Sequence, residues 1–161
     1  MTETNVFAPP KSNLDGAPGP GEQAPPLWNP NAAASWSLLL SSAFGAYLHM
    51  RNWRALGEHR LADQARIWMA VSIGVLVLTI FFGTLTGAGY GIGRLISFSI
   101  LIAWYFVGAK AQVREVKERF GDAYPRKGWL LPLVLGFLIL CAAAFSIAFA
   151  AAFIRIAAGA R

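Results

Sequence analysis

Few ionisable residues in this sequence are spaced so that they could act on a ligand together. His59 and Asp63 are four residues apart, which places them on one face of a helix, and Glu58 adjoins His59. An imidazole and a carboxylate at this spacing are the minimum for a metal-binding or acid–base pair. Because no third ligand follows in the same segment, a solvated helix face is the favoured interpretation and a metal or acid–base site is the alternative. We therefore predict no catalytic residue, no metal and no cofactor.

A glycine-rich turn surrounds Tyr90, and its composition is similar to that of two functional motifs. A Gly-Tyr-Gly sequence also occurs in potassium selectivity filters, but a filter needs a re-entrant pore helix before its glycines. A dinucleotide-binding loop needs a preceding strand, and a long apolar run precedes this turn instead. The glycines are therefore predicted to form a tight, flexible turn or to allow close helix approach.

Small residues recur at every fourth position in two parts of the sequence. In lipid, where hydrophobicity itself does not drive association, such residues let helices approach closely. We predict that they pack helices within the bundle, and self-association into a homo-oligomer is the alternative. The positions are Gly83, Gly87 and Gly91 near the turn, and Ala144, Ala148 and Ala152 in the last apolar run.

The overall composition indicates a membrane protein. Of the 161 residues, 56% are hydrophobic and 14% are charged, and the mean hydropathy is +0.48. A soluble domain carries about a quarter charged residues. The length allows one domain-sized unit with three or four membrane spans and short loops. The single cysteine, Cys141, excludes an intrachain disulfide or a cysteine-based zinc site.

Four apolar runs follow residue 31, at about 32–50, 67–86, 92–109 and 129–154. The second run is uncharged over about 20 residues, which at 1.5 Å per residue crosses about 30 Å of hydrocarbon. The first run is diluted by serines and a glycine, so that it either spans the membrane or lies half inserted. The sequence thus predicts an all-α fold, a polytopic helical membrane domain over 31–161 with three to four transmembrane helices.

The interiors of these runs carry no Asp, Glu or Lys, and the nearest ionisable residues, His49, Arg94 and Arg155, lie at their ends. Ion-coupled transport normally places ionisable groups or broken helices at mid-membrane, and intramembrane hydrolysis needs a nucleophile with a base or a metal. Both functions are therefore disfavoured, and we predict a protein that is not an enzyme.

The first 30 residues differ from the rest of the chain. They contain seven of the nine prolines and few charges. Such a segment buries too little apolar surface to offset the entropy of ordering it, so residues 1–30 are predicted to be a disordered tail. The only basic residue of the tail, Lys11, is not followed by the apolar stretch of a signal peptide, and we expect the tail to be retained.

The net charge of +6 is concentrated in two segments. Residues 51–66 carry four Lys and Arg, and residues 110–128 carry six, out of fourteen in the chain. The positive-inside rule predicts that both segments are cytoplasmic and that the C-terminus is periplasmic. The side of the N-terminal tail depends on whether 32–50 spans. Since membrane insertion accounts for ten of the fourteen charges, nucleic acid is not an expected partner, and the lipid bilayer is.

Both basic segments have the pattern of amphipathic helices. The first is interrupted at Gly57, and Gly121 is well placed to end the second. In the second segment, Arg114 and Glu118 have the spacing of an ion pair within one helix. We expect a helical extension lying on the membrane, or alternatively a docking face for a protein partner that includes Arg114 and Arg119.

Residues 27–66 begin with Trp28-Asn29-Pro30 and contain an Asn-Trp pair followed by Leu-Gly. This segment, about a quarter of the chain, resembles the opening of small bacterial inner-membrane proteins of uncharacterised function. The resemblance implies a bacterial inner-membrane location and carries no activity. Asn29 or Asn31 is predicted to cap the first helix. The candidate anchor and interaction residues within it are Trp28, Trp36, Asn52 and Trp53.

The favoured function is that of a non-enzymatic inner-membrane protein that acts through contacts with a protein partner. Some small multi-span proteins of this appearance are similar to immunity proteins, which protect a cell from a membrane-targeting or pore-forming toxin, and this is the first alternative. The second alternative is an oligomeric channel or small transporter, in which serines and threonines of the apolar runs would line water.

Overall fold

The chain is helical through most of the part that the structure describes. The computed structural model describes residues 24–86 and 91–159, and within them it contains no strand beyond an isolated bridge between Leu27 and Arg126. The helices of these ranges are α1 (Pro30–Leu40), α2 (Ser42–Ala55), α3 (His59–Thr86), α4 (Gly91–Trp104), a π-helical turn (Tyr105–Ala109), α5 (Lys110–Phe120) and α6 (Leu130–Ala157). The predicted all-α fold is confirmed.

Three helices are long and apolar enough to cross a membrane. They are His59–Gly83, Gly91–Phe120 and Leu130–Ala157, with 25, 30 and 28 residues. At 1.5 Å per residue, each exceeds the thickness of the hydrocarbon, about 30 Å. Each overlaps one of the last three predicted runs, although the first begins before its run and the second continues beyond it. The helix ends at the two glycines are also confirmed: Gly57, two residues after the end of α2, has a φ of 78°, and Gly121, directly after α5, has a φ of 56°.

The predicted disordered tail lies mostly outside the described residues, which begin at Ala24. Its last residues, however, belong to the folded structure. Leu27 is fully buried, and Asn29 caps α1 by accepting hydrogen bonds from the N–H groups of Asn31 and Ala32 at 3.0 and 3.2 Å. Pro30 occupies the first helical position, where its missing N–H costs nothing. The folded part therefore begins several residues before the predicted boundary at residue 31.

The first apolar run forms a helical hairpin. In this hairpin α1 and α2 are antiparallel: His49 Nε2 donates to the carbonyl oxygen of Pro30 at 3.2 Å, and Gly45 packs against Ser37. With 11 residues, α1 is about 16 Å long, roughly half the thickness of the hydrocarbon. The first of the four predicted runs is therefore not a span. The hairpin has the form expected for half-insertion, and three helices of spanning length remain.

The tip of the hairpin lies between the apolar parts of α3 and α6. The Ser42 hydroxyl donates to the Ser72 hydroxyl of α3 at 2.9 Å. A Cβ added to Gly136 would lie 2.8 Å from the Phe44 ring, so this glycine allows α6 to lie against the hairpin. The chain then returns to the end of the bundle where α1 began. Non-helical backbone at this depth is acceptable because it is enclosed by protein, as in other re-entrant segments.

Ser41 separates α1 from α2 with an unusual backbone conformation. Its φ is 153° and its ψ is 161°, a region that suits glycine and costs other residues about 1–3 kcal/mol. The Ser41 hydroxyl partly compensates by accepting a hydrogen bond from the Phe44 N–H at 3.3 Å, which caps α2. Backbone strain is thus stored at the tip of the hairpin.

The variant Ser41→Gly is expected to be more stable than the native protein by about 1 kcal/mol, because relief of strain exceeds the lost cap. The variant Ser41→Ala keeps the strain and loses the cap, so we expect it to be less stable by about 1 kcal/mol. The midpoints of thermal unfolding in detergent compare the stabilities of the native protein and the two variants. A midpoint for Ser41→Ala above that of Ser41→Gly would show that Ser41 is not strained.

A π-helical turn joins α4 and α5 into one continuous helix. The residues of this helix that are buried against the rest of the protein are Trp104, Ala109, Gln112 and Val116. Their separations are five, three and four residues. The five-residue separation lies at the π-helical turn. Such a turn brings the chain once around the helix axis with one residue more than an α-helical turn. The buried side chains therefore stay on one face from the membrane-spanning part into α5.

The small residues predicted to pack helices have different environments. Gly83 is half-buried, Gly87 lies outside the described residues, and Gly91 is exposed with nothing within 4 Å of an added Cβ. On α6, Ala144 and Ala148 are half-buried and Ala152 is exposed. Close helix approach is seen instead at three other glycines of the described ranges: Gly45 against Ser37, Gly93 against Thr79 and Gly136 against Phe44. The proposed role of the predicted positions in packing or self-association stays a prediction.

Candidate functional site

Ten of the fourteen Lys and Arg residues lie at one end of the helix bundle. This end, which we call the basic end, consists of residues 24–29, 51–66 and 110–129. The segment before α1 is fastened to the loop before α6 by two backbone hydrogen bonds of 2.9 Å, from the Leu27 N–H to Pro125 and from the Lys127 N–H to Leu27. Leu27 packs against Val116 and Tyr124, both buried. The basic end is thus a folded layer and not a set of free loops.

Asn52 is the centre of a buried polar cluster in this layer. Its side-chain oxygen accepts a hydrogen bond from the Trp28 N–H at 3.0 Å, and its Nδ2 donates to the Trp28 carbonyl at 2.7 Å and to Gln112 Oε1 at 3.3 Å. Gln112 Nε2 in turn donates to the His49 carbonyl at 2.9 Å. Asn52 and Gln112 are fully buried. The cluster therefore joins the segment before α1, the end of α2 and α5, which are far apart in sequence.

His49 completes the cluster as a neutral side chain. Its Nε2 carries the proton, because the Pro30 carbonyl can only accept. Its Nδ1 is buried and has no hydrogen-bond partner within the described ranges. The imidazole packs edge-on against Trp104, with ring centres 5.3 Å apart. Burial lowers the pKa of His49 from 6.5 to about 4, and the hydrogen bond to Pro30 opposes this only in part.

The lowered pKa of His49 predicts that the protein loses stability in mild acid. Between pH 6.5 and about pH 4 the unfolded chain binds a proton at this position and the folded protein does not. The stabilisation is therefore complete above pH 6.5 and decreases as the pH falls towards 4, by about 3 kcal/mol in all. Thermal unfolding midpoints between pH 4.5 and 8 measure this slope.

The variant His49→Gln should have a flatter pH profile over the same range. The matched control is Gln64→Ala, which removes an exposed amide that does not titrate from α3 and should leave the profile unchanged. Equal pH slopes for the native protein and His49→Gln would contradict the assignment to His49.

The Trp28 side chain lies on the surface of the basic end. Its indole Nε1 donates to the Gly128 carbonyl at 3.1 Å, and the Lys127 ammonium lies 4.4 Å from the centre of its ring. This distance is suited to a cation–π contact. Partial burial lowers the pKa of Lys127, and the positive charge of Arg51 lowers it further. Trp28 is thus fixed by both its backbone and its side chain.

Ion pairs connect the elements of the basic end. Arg119 contacts Glu115 on its own helix and Glu58 in the connection before α3, the latter at 3.1 Å, and its side chain is only 17% exposed. Arg114 is 74% exposed, and its predicted pairing with Glu118 is confirmed at 3.8 Å. Of the two arginines predicted for a docking face, Arg119 therefore connects α5 to α3, and Arg114 lies on the outer surface.

The predicted metal or acid–base pair does not form a built site in the described part of the chain. His59 is exposed, and Asp63 pairs with Arg66 at 3.4 Å. No group of three His, Cys, Asp or Glu side chains within residues 24–86 and 91–159 is arranged to hold a metal ion. The solvated helix face is the interpretation that this geometry supports.

The predicted tryptophan anchors lie in different surroundings. Trp36 is partly exposed on α1, whereas Trp53 is buried against Ala62 and Ala65 of α3. Because the hairpin folds back, Trp28 and Trp53 lie at the same end of the bundle. They would lie at opposite membrane interfaces only if residues 32–50 crossed the membrane. Trp53 also lines a cavity of about 140 Å³ beside His49, together with Trp68, Trp104 and Gly108. Three of the residues that line it are therefore tryptophans.

The sequence did not single out Gln112, Leu27 or Trp104 as residues of this site. One signal for Gln112 was present, because it lies four residues before Val116 and therefore shares its helix face. Comparisons of the chain with known protein families, with curated proteins and with solved structures found no match.

Proposed function

We propose that this protein is a multi-pass protein of a bacterial inner membrane that works as a docking platform for another protein and is not an enzyme. The observation that carries the proposal is the construction of the basic end. Its inward polar groups, such as Asn52 and Gln112, are engaged with one another, while Arg54, Arg60 and Arg114 are exposed. A rigid surface with outward charges favours recognition of a partner, because little ordering entropy is lost on binding.

The proposal includes a topology. Both basic segments, 51–66 and 110–128, belong to the same end of the bundle, and the positive-inside rule assigns that end to the cytoplasm. The C-terminal end of α6 is then periplasmic. Since the first run is a hairpin, the chain before α1 lies on the cytoplasmic side. The similarity of residues 27–66 to small bacterial inner-membrane proteins supports the choice of membrane.

Photo-crosslinking in native membranes tests the docking platform. A photoreactive phenylalanine analogue is placed at Arg114 or Lys117 on the exposed surface of α5, and at Ile139 on the exposed surface of α6 as the matched lipid-facing control. We expect one discrete protein adduct from the α5 positions that disappears in the charge-reversal background Arg60→Glu. Adducts of equal pattern from α5 and α6, unaffected by charge reversal, would contradict a platform at the basic end.

The exposure of α6 favours a second candidate function. Ala151 is the one buried residue of α6, and the side chains of Phe145, Phe149 and Phe153 are all more than half exposed. This long apolar face is suited to contact the helices of a membrane-inserted toxin. Such a contact is what the alternative function, an immunity protein, requires. A contact competition on a solid surface between the parent strain and a strain that lacks the gene tests the immunity function. Death of the deletion strain only in contact with its parent would support immunity, and equal survival would exclude it for that toxin.

A further inference from the structure

Two cationic residues, Lys127 and Arg51, are positioned near Trp28 at the basic end. Lys127 lies over the Trp28 ring at 4.4 Å, and its backbone is held by the hydrogen bond from its N–H to Leu27. Arg51 directly precedes Asn52, whose side chain holds both backbone groups of Trp28. Two independent backbone attachments therefore converge on residues 27–28 and hold together the segments that carry Lys127 and Arg51.

Neither cation has a counter-ion within the described ranges. The five ion pairs found there involve Arg66, Arg114, Arg119 and Arg126, and none involves Arg51 or Lys127. The charge of Arg51 is close enough to act on Lys127 and lowers its pKa. Two like charges near each other raise the free energy of the folded protein, and an anion bound by both would lower it.

The surroundings of this cation pair identify the kind of anion. Lys127 lies three residues before Leu130, where α6 begins, and Leu130 and Leu131 are 80% and 69% exposed. Apolar surface thus begins directly beside the charges. Trp28 contributes an indole, a side chain typical of the headgroup region. An anion suited to this place has a negative headgroup and apolar chains.

We propose that Arg51, Lys127 and Trp28 form a binding site for the phosphate of one anionic phospholipid, whose acyl chains lie along the beginning of α6. The site is distinct from the general attraction of basic loops to an anionic leaflet, because it depends on two particular residues. The lipid site requires that the protein resides in a membrane, and it does not depend on which protein docks at the basic end.

Native mass spectrometry of the detergent-solubilised full chain tests the site. The protein is titrated with phosphatidylglycerol and, separately, with phosphatidylcholine of the same acyl chains. We expect one phosphatidylglycerol to bind preferentially. Each cation near a membrane surface contributes about fivefold in affinity, so that Arg51→Gln/Lys127→Gln should weaken phosphatidylglycerol binding by about 25-fold. Phosphatidylcholine binding should not change, and Lys127→Arg should retain the native affinity.

The matched control, Arg60→Gln/Lys117→Gln, removes two exposed charges from the same end of the bundle. An equal loss of affinity in this control would show diffuse attraction and overturn the site. Unchanged binding by Arg51→Gln/Lys127→Gln, with a native unfolding midpoint, would also overturn it. Displacement of the lipid by millimolar glycerol 3-phosphate would identify a soluble phosphate ligand and refute the lipid assignment.

Discussion

Replacement of Asn52 by alanine is expected to lower the free energy of unfolding by about 4 kcal/mol. The variant loses three hydrogen bonds, so that the backbone N–H and carbonyl of Trp28 and Oε1 of Gln112 lose the partner that Asn52 provides. Each buried polar group left unsatisfied costs about 1–3 kcal/mol. Reversible unfolding in mixed detergent–SDS micelles, followed by circular dichroism, measures the change.

Two further variants isolate the role of Asn52. Asn52→Asp keeps the acceptor for the Trp28 N–H but removes both donated bonds, so its stability should lie at or below that of Asn52→Ala because it also buries a charge. Gln64→Ala removes an exposed amide from α3 and should change stability by less than about 0.5 kcal/mol. A loss below 1 kcal/mol in Asn52→Ala would mean that the cluster does not hold the basic end together.

Replacement of Gly45 by leucine should separate the two helices of the hairpin. A Cβ at this position would collide with the Ser37 hydroxyl and lie 2.5 Å from Cη2 of Trp104. Both neighbours are buried and cannot move without disrupting α1 or α4. We expect a destabilisation of about 3 kcal/mol, the upper part of the usual range for overpacking, again measured by unfolding in mixed micelles.

The chain offers a matched control for this substitution. Gly74 lies on α3, is exposed, and has nothing within 4 Å of an added Cβ. Gly74→Leu adds the same atoms to a helix, and its stability should be native or higher because leucine is the better helix former. If Gly45→Leu and Gly74→Leu unfold at the same SDS fraction, the close approach at Gly45 does not exist.

The long helices of the fold could be predicted from sequence because their signal is local. An uncharged run of about 20 residues is sufficient to indicate a span, and Gly57 and Gly121 end helices through their own backbone conformation. The hairpin is different, since neither glycine nor proline marks its tip. The chain reversal at Ser41 is held by contacts between helices, which involve Ser42, Gly45 and Gly136. Averaged hydropathy cannot detect such a reversal.

The polar cluster could be predicted only in part. Asn52 was a candidate because it belongs to the Asn-Trp pair of residues 27–66, and the capping role of Asn29 follows from its position before Pro30. Gln112 belongs to a charged, exposed segment by composition, and its burial depends on Asn52, which is 60 residues away. The neutral state of His49 likewise depends on its burial, which includes the edge-on contact with Trp104. Contacts over such separations leave no periodic pattern in the sequence.

The π-helical turn between α4 and α5 has a consequence for the evolution of chain length. The buried residues Trp104, Ala109, Gln112 and Val116 keep one face only because the turn accommodates one extra residue. Phe106 and Val107, within the turn, are both more than 60% exposed. Loss of one residue there would yield a regular α-helix with the same buried face. Loss of a residue between Gln112 and Val116 would rotate Val116 by about 100°. Relatives of this chain should therefore vary in length at the turn and not within α5.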